Sequence, residues 1–467
     1  MQKWWLCICW CVPLLLSAQT NRTSTQDTLS VSFTDLPLEI ILDSISYKSG
    51  YSFAYNAEAL TDGSLYSFTS NAIRVDSLLN ALLVGTGLTY TRLDDQIVIK
   101  KTPPEKSESL PGKLILTGYV REFETKRPIV GANIYINGTT IGTTTDQHGN
   151  YQIGNLPKGF RTVVFSHVGY ELASYDLEVL EDQRYVVNAQ LRQDIVELQG
   201  IEVTSSRLAS DKKWSQNLSI FEKEFIGSSA NAKSCLLLNP EVLDFYMDPN
   251  KDTLFARASE PLLIQNLALG YQISYELIYF KKTSNRTNFY GHARFNNLEP
   301  KSSKQLRTWR KNRKRTFRGS IFHFLQNLAA DRHLQAGYQL YAASEINEQS
   351  PERIPSRSLL FKSAPESWQL SFDQYLIVVY ENELESTQYL NDQLMQDQRS
   401  GKRVHTALSK LRPNAQKSVL ELNSEFVTID SYGQIKEPGG LTILGYWAWE
   451  RVADMMPADY HPKTDKL

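Results

Sequence analysis

Apolar and polar residues recur along the chain with two periods, and the switches between them divide it into units. Both periods occur between Asp27 and Lys101. Leu29–Phe33 alternates as a strand, and Leu38, Ile41, Leu42 and Ile45 then return at the spacing of one helix face. Pro37 suits a first helical turn and Gly50 a helix end. Tyr51–Tyr55 and Leu65–Ser70 read as strands, and Val75–Val84 as a second helix through Leu78, Leu79, Leu82 and Leu83. Leu88–Arg92 and Gln96–Lys100 form a predicted hairpin about Asp94-Asp95. Residues 102–113 hold Pro103-Pro104 and Pro111-Gly112 and read as a semi-extended linker.

From Leu114 to Gln193 the two-residue period dominates. Ile134 and Ile136 alternate with Asn133, Tyr135 and Asn137. Asn137-Gly138 is a reversal signal, because both residues tolerate positive φ. Asp146-Gln-His-Gly149 is a second turn, and turn signals every ~8–12 residues predict a β-sandwich. Residues 194–219 read as a connector. In 220–467, Leu254–Ser259 and Pro261–Gln265 predict a hairpin around Glu260, and Ala268-Leu-Gly270 a turn. Tyr271, Ile273, Tyr275, Leu277 and Tyr279 give the clearest alternation. Tyr375–Tyr380 and Val419–Ile429 read as strands and Trp447–Met456 as a short terminal helix. The expected fold class is multidomain α+β: a small αβ unit at 27–101, a β-sandwich at 114–193 and a β-rich α+β domain at 220–467.

Three of these units resemble known families. Leu36-Pro-Leu38, Gly50-Tyr-Ser-Phe-Ala-Tyr55, Gly85-Thr-Gly-Leu-Thr-Tyr90 and Ile97-Val-Ile99 resemble the secretin/TonB short N-terminal (STN-type) domain. That resemblance implies a periplasmic module that contacts another protein and is not an enzyme. Pro128-Ile-Val-Gly-Ala-Asn-Ile, Thr143-Thr-Thr-Asp-Gln-His-Gly-Asn-Tyr and Phe165-Ser-His-Val-Gly-Tyr resemble the carboxypeptidase regulatory-like domain, a prealbumin-like sandwich of bacterial envelope proteins. It implies no peptidase. Zinc hydrolysis needs two or three His or carboxylate ligands and a Glu base, and none of the seven histidines begins His-x-x-Glu or His-Glu-x-x-His. Phe225-Ile-Gly-Ser-Ser-Ala-Asn-Ala and Gly445-Tyr-Trp-Ala-Trp-Glu-Arg resemble the tails of exported proteins that carry the same sandwich; this implies no activity.

Asp194-Ile-Val-Glu-Leu-Gln-Gly-Ile-Glu-Val-Thr204 looks like the segment that TonB grips in outer-membrane receptors. Ile195, Val196, Leu198, Ile201 and Val203 are the candidate contacts, by edge-strand addition to a partner's sheet. A receptor barrel needs about 22 tilted strands of ~9–11 residues, and the following chain does not read as repeated membrane strands.

Targeting changes the picture more than charge does. Lys3, the apolar Trp4–Leu16 and the small residues Leu16-Ser-Ala18 read as a secretory signal over 1–18. Cys7, Cys9 and Cys11 lie within it, so Cys235 is expected to be the one cysteine of the mature chain, in no intramolecular disulfide and either a small buried apolar residue or a reactive thiol. The expected location is the periplasm or outer membrane, or the cell surface, with the protein peripheral rather than membrane-spanning. Net charge is −1, so global charge selects no partner.

Local charge does. Lys301–Arg318 holds nine basic residues and no Asp or Glu, with Trp309 and Phe317 interleaved. Export disfavours nucleic acid and points to an anionic envelope surface or an acidic protein. Arg307, Arg310, Lys311, Arg313, Lys314, Arg315 and Arg318 are the candidate contacts. The plainer reading is a solvated helix compensated by Glu381, Glu383 and Glu385, with Trp309 and Phe317 as its buried anchors. Neutralising Arg310, Lys311, Arg313, Lys314 and Arg315 together is expected to leave the fold intact. Tyr271, Tyr275, Tyr279 and Tyr290 could form a sugar-stacking face or a packed strand face. No Gly-x-Ser-x-Gly, Walker loop or paired-Cys motif appears, and Ser320 near His323 makes no claim without geometry. No catalytic, cofactor-binding or metal residue is assigned. The expected function is a non-enzymatic envelope adaptor that binds protein or glycan. The alternatives are a TonB-linked transport or signalling component and an enzyme with its site confined to 220–467.

Overall fold

The computed structural model describes residues 27–462 apart from 57–59, 61–63, 85, 102–113, 181–183, 195–211, 249–251, 285, 347, 349 and 401–413, together with 465. The targeting segment, the 102–113 linker and the TonB-like residues Ile195, Val196, Leu198, Ile201 and Val203 lie outside the described residues. The described chain is α+β, with seven α-helices and several sheets.

The N-terminal unit follows its periodicity closely. Strand Thr28–Pro37 pairs antiparallel with Leu65–Arg74. Helix α1 (Leu38–Ser49) buries Leu38, Ile41, Leu42 and Ile45, and helix α2 (Val75–Leu83) buries Leu78, Leu79, Leu82 and Leu83. Each such side chain contributes roughly 1.5–3 kcal/mol when removed from water. Gly50 ends α1 at φ +82°, its N–H donating to the Ser46 carbonyl at 3.0 Å. Ser52–Asn56 lies parallel to Gln96–Lys101, which pairs with Leu88–Leu93.

The sandwich has two layers. Ile115–Glu122, Asn150–Gly154, Arg184–Val187 and Ala189–Leu191 form one; Ala173–Val179, Gly159–Ser166, Asn133–Ile136 and Gly142–Thr144 form the other. Ile134, Ile136, Val163, Phe165 and Val187 fill the space between them. At the Asp146 turn, Asp146 Oδ1 accepts from the N–H groups of His148 and Asn150, both at 2.8 Å. The sandwich also extends the N-terminal sheet, because Arg184–Val187 pairs antiparallel with Ser52–Asn56.

Helix α3 (Lys212–Phe225) buries Phe221 and Phe225 against a sheet that includes Thr253–Ala258, Leu262–Asn266, Tyr271–Lys282 and Thr287–Asn297. The predicted hairpin around Glu260 does not form. Both of its strands pair instead with Tyr271–Lys282, end to end along the edge opposite Thr287–Asn297: Leu262–Asn266 meets Tyr271–Tyr275, and Leu254–Ala256 meets Phe280–Lys282. A second core forms around Tyr338–Ala343, Tyr375–Leu384 and Ala415–Leu422. Two helices join the cores: α4 (Ser303–Phe317) puts Phe317 in the first, and α5 (Ile321–Ala329) puts Phe324, Leu325 and Leu328 in the second. Helix α6 spans Thr387–Ser400. The predicted helix over Trp447–Met456 is instead a four-residue α7 (Tyr446–Trp449) followed by a 3-10 turn at Val452–Asp454. The Ala453 N–H is drawn out to the Ile226 carbonyl at 3.1 Å.

Several contacts tie the sandwich to this C-terminal region, among them the Asn137-Gly138 turn and Asp430. At the Asn137-Gly138 turn, the Gly138 N–H donates to the Ala293 carbonyl and the Gly138 carbonyl accepts from Ala458, both at 2.7 Å. Asp430 Oδ2 accepts from the Phe160 N–H at 2.8 Å and faces Arg161 at 3.5 Å, with both side chains buried.

Candidate functional site

Helix α4 has two faces of different chemistry. Ser302 caps it, its Oγ accepting from the Gln305 N–H at 3.2 Å. The inner face carries Trp309, Arg313, Thr316 and Phe317, all buried. It reads four consecutive carbonyls of the preceding turn. Trp309 Nε1 donates to Leu267 at 2.8 Å, Asn312 Nδ2 to Ala268 at 2.9 Å, Arg313 Nε to Leu269 at 2.7 Å and Arg313 Nη2 to Gly270 at 3.1 Å. The Trp309 indole occupies the space of a Gly270 side chain; a Cβ there would stand 2.3 Å from the ring.

Arg313 is therefore part of the structure and not a surface contact. Its guanidinium also donates to Asn297 Oδ1 at 3.2 Å, meets Asp465 at 3.4 Å and lies 4.0 Å over the Tyr271 ring. This corrects two expectations: Arg313 is no candidate for partner binding, and neutralising the five-residue set would disturb the fold. Trp309 and Phe317 are buried anchors, as expected.

The outer face carries Lys311, Lys314, Arg315 and Arg318. Their i, i+3, i+4 and i+7 spacing puts them on one side of the helix. Together they line a cleft of about 690 Å³, opposite His323, Gln335, Tyr380, Asn382 and Glu383. Arg307 is exposed outside the cleft. Arg310 is half-buried, with Nε and Nη2 enclosed and lacking a hydrogen-bond partner among the described residues.

The turn at Gly319 places the opposite wall. Gly319 has φ +83°, and a Cβ there would stand 2.8 Å from the Tyr380 ring. Ser320 then caps α5, accepting from the His323 N–H at 3.2 Å and donating to the Phe317 carbonyl at 2.7 Å. Its hydroxyl is thus committed to the cap and does not meet an imidazole base. His323 Nδ1 is 2.8 Å from the Tyr338 hydroxyl and receives the Gly319 N–H at 3.4 Å. An N–H can only donate, so Nδ1 keeps its lone pair and the ring proton sits on Nε2. Burial, with Arg318 adding to it, pushes the His323 pKa down to about 4, so the imidazole is neutral at neutral pH.

Among the described residues, Glu383 is the one carboxylate lining the cleft. Burial raises its pKa, while the Arg315 charge and a Gln416 hydrogen bond oppose that rise. Arg315 Nη2 also reaches Asn231 Oδ1 at 3.4 Å, and Asn231 Nδ2 donates to Asp454 at 2.8 Å, which ties this cation to the first core. The other two acids expected to compensate α4 are placed elsewhere. Glu385 pairs with Lys417 at 3.6 Å, and Glu381 accepts from Gln339 at 3.2 Å. Four cations thus face one carboxylate across the cleft. Such an arrangement attracts and hydrogen-bonds an anion.

The remaining sequence candidates separate. Tyr271 and Tyr275 are buried in the first core, so the four-tyrosine sugar-stacking face does not form. Tyr279 and Tyr290 pair across strands and stay partly exposed. Cys235 is half-buried, and burial followed by the Asp454 charge pushes its thiol up to about 12, which makes it a poor nucleophile. Among the described residues, no group of three His, Cys, Asp or Glu is placed to hold a metal ion. The sequence reading gave His323 no role and missed Gln335, Tyr380 and Asn382; the turn at Gly319 places His323, and the packing of Tyr375–Leu384 places Tyr380 and Asn382.

Solved structures with partial likeness include a type II cohesin-X-dockerin complex, Coh3ScaB-XDoc_M2ScaA, from Acetivibrio cellulolyticus. It is 22% identical over 16% of this chain and 52% of that chain, at a TM-score of 0.15. The Bacillus anthracis TIE protein is 13% identical over 44% of this chain and 33% of that chain, at a TM-score of 0.16. The chain spans about half the length of the first of these, and likenesses at such TM-scores carry no argument. No curated protein matches the sequence. The family match is local: residues 116–203, which include most of the central sandwich, match the model of the CarboxypepD_reg-like domain.

Proposed function

We propose that the protein is a non-enzymatic adaptor of the Gram-negative envelope that binds an anionic partner, protein or glycan, in the cleft beside α4. One observation carries this reading: Lys311, Lys314, Arg315 and Arg318 converge on a single cleft that, among the described residues, holds one carboxylate. The apolar run Trp4–Leu16 and the STN-like order of the N-terminal unit support an envelope location. The Ser320 hydroxyl is held by the helix cap, and the cationic wall supplies the charge that an anionic partner would meet.

The energy is electrostatic. Each lysine or arginine close to an anionic surface contributes about 1 kcal/mol, and the attraction weakens as the Debye length falls from ~10 Å at 0.1 M salt to ~3 Å at 1 M. The test is a Lys311→Gln, Lys314→Gln, Arg318→Gln variant, which spares Arg313 and Arg315 because both hold structure. Co-sedimentation with envelope fragments at rising salt should fall for the wild type and be weak throughout for the variant, with unchanged thermal melting. Equal sedimentation of the two proteins would sink the proposal.

A further inference from the structure

A second cleft, of about 270 Å³, opens where the N-terminal unit meets the sandwich. Its walls come from both. Glu39 and Asp43 stand on α1, Tyr55 on the strand Ser52–Asn56, and Asn150, Arg184 and Asn188 on sandwich strands or their ends. We propose that this cleft binds a neutral, hydroxyl-rich ligand the size of a single sugar ring.

Tyr55 is the first reason. Its side chain lines the cleft and is 2% exposed, yet its hydroxyl has no hydrogen-bond partner among the described residues. A buried hydroxyl left unpaired costs roughly 1–3 kcal/mol, so this one calls for an occupant that supplies a partner. Burial, then the negative charges of Asp43 and Glu39, raise its pKa, so it remains a phenol that can donate as well as accept.

The second reason is the mixture of groups around it. Glu39 and Asp43 offer acceptors, while Arg184 and Asn150 offer donors. Asn188 Nδ2 already donates to Asp43 Oδ1 at 3.1 Å, which fixes that carboxylate across the junction. Two carboxylates are set against Arg184 and against Arg121, whose charge reaches Asp43 and whose guanidinium lies 4.2 Å over the Tyr119 ring. No excess of one sign selects an ion. Hydroxyl groups donate and accept at once, and so match interleaved donors and acceptors. Burial and the neighbouring Glu39 raise the Asp43 pKa to about 6, opposed by Arg121 and Asn188, so Asp43 is acceptor-only above that pH.

This site is separate from the basic cleft, and the two proposals fail independently. The experiment is saturation-transfer NMR on the full mature chain with D-glucose, D-galactose, L-rhamnose and N-acetylglucosamine, and with ethanolamine and acetate as charged probes. At least one sugar should show transfer at pH 7.5. Tyr55→Phe, which keeps the ring and removes the hydroxyl, should weaken it at least tenfold without lowering the melting temperature. Asp43→Asn should do the same, and the Lys311/Lys314/Arg318 variant should bind as wild type. Transfer from none of the sugars, equal affinity in Tyr55→Phe, or tighter binding of ethanolamine or acetate would each overturn the proposal.

Discussion

Arg313→Ala separates the structural cation of α4 from the cations of the cleft. The wild-type guanidinium donates to the Leu269 and Gly270 carbonyls at 2.7 and 3.1 Å and to Asn297 at 3.2 Å, and faces Asp465 at 3.4 Å. It also stacks 4.0 Å over Tyr271. Hydrogen bonds to charged groups contribute ~1.5–3 kcal/mol each, and a desolvated cation–π contact about 2 kcal/mol. These are not additive, because the partners share one side chain. Removing one partner of a buried pair costs about 3–5 kcal/mol, and that is the expected loss. Lys311→Ala and Lys314→Ala should each cost ~0–1 kcal/mol, as exposed charges do.

The assay has to read the first core alone, since a chain with several cores need not unfold in one step. Hydrogen exchange over residues 262–282 and 303–317, beside thermal melts, meets that need. Arg313→Ala should lose protection in both segments and melt at least about 6 °C lower. Arg313→Lys should not rescue it, because a point ammonium cannot replace the planar fork that reaches two carbonyls. Protection and melting equal to wild type would refute the assignment of Arg313 to the structure and return it to the candidate binding face.

Three further outcomes follow from the geometry. Asp430→Ala leaves the buried Arg161 unpaired and should cost about 3–5 kcal/mol in melts that report the sandwich-to-C-terminal contact. Gly159→Ala should damage the same contact, because Gly159 has φ +96° and a Cβ would stand 1.9 Å from Asp430 Oδ2; a melt within 1 °C of wild type would contradict this. His323 and His292 have pKa values lowered from 6.5 to about 4, so the unfolded chain takes up protons that the folded chain refuses. Stability should therefore fall as pH drops from 6.5 towards 4, and His323→Gln should flatten that fall in pH-dependent melts. Asp43, raised from 3.8 to about 6, acts in the opposite sense: its contribution is present below 3.8 and lost as pH rises through about 6.

Legibility in the sequence followed locality. Leu38, Ile41, Leu42 and Ile45 mark α1 because burial of one helix face is a local pattern, and Gly50 ends it because the chain needs positive φ there. The Asn137-Gly138 reversal was equally plain, but its docking against Ala293 and Ala458 depends on residues far along the chain. The hairpin around Glu260 shows the limit. Alternation identifies Thr253–Ala258 and Leu262–Asn266 as strands, but it does not say that both will line up along one edge of Tyr271–Lys282 instead of pairing with each other. The single strand expected over Val419–Ile429 is divided for a related reason: Ala415–Leu422 and Val427–Asp430 belong to different sheets.

The basic run was visible as composition. Its division into an inner face with Arg313 and an outer face with Lys311, Lys314, Arg315 and Arg318 follows from helical spacing once the helix is known. The opposite wall was not legible, because it reaches α4 only through the packing of the second core. Of the three glutamates expected to compensate the helix, strand geometry brings Glu383 to the cleft and turns Glu385 to Lys417.

Amine footprinting tests the central claim most directly. Acetylation of Lys311 and Lys314 should be measured by mass spectrometry in the purified chain and in intact envelopes, with the exposed Lys301 and Lys304 as internal references. An anionic partner seated in the cleft predicts that Lys311 and Lys314 are protected in the envelope, that 1 M salt removes the protection, and that Lys301 and Lys304 change less. Equal reactivity of Lys311 and Lys314 in both settings would contradict it.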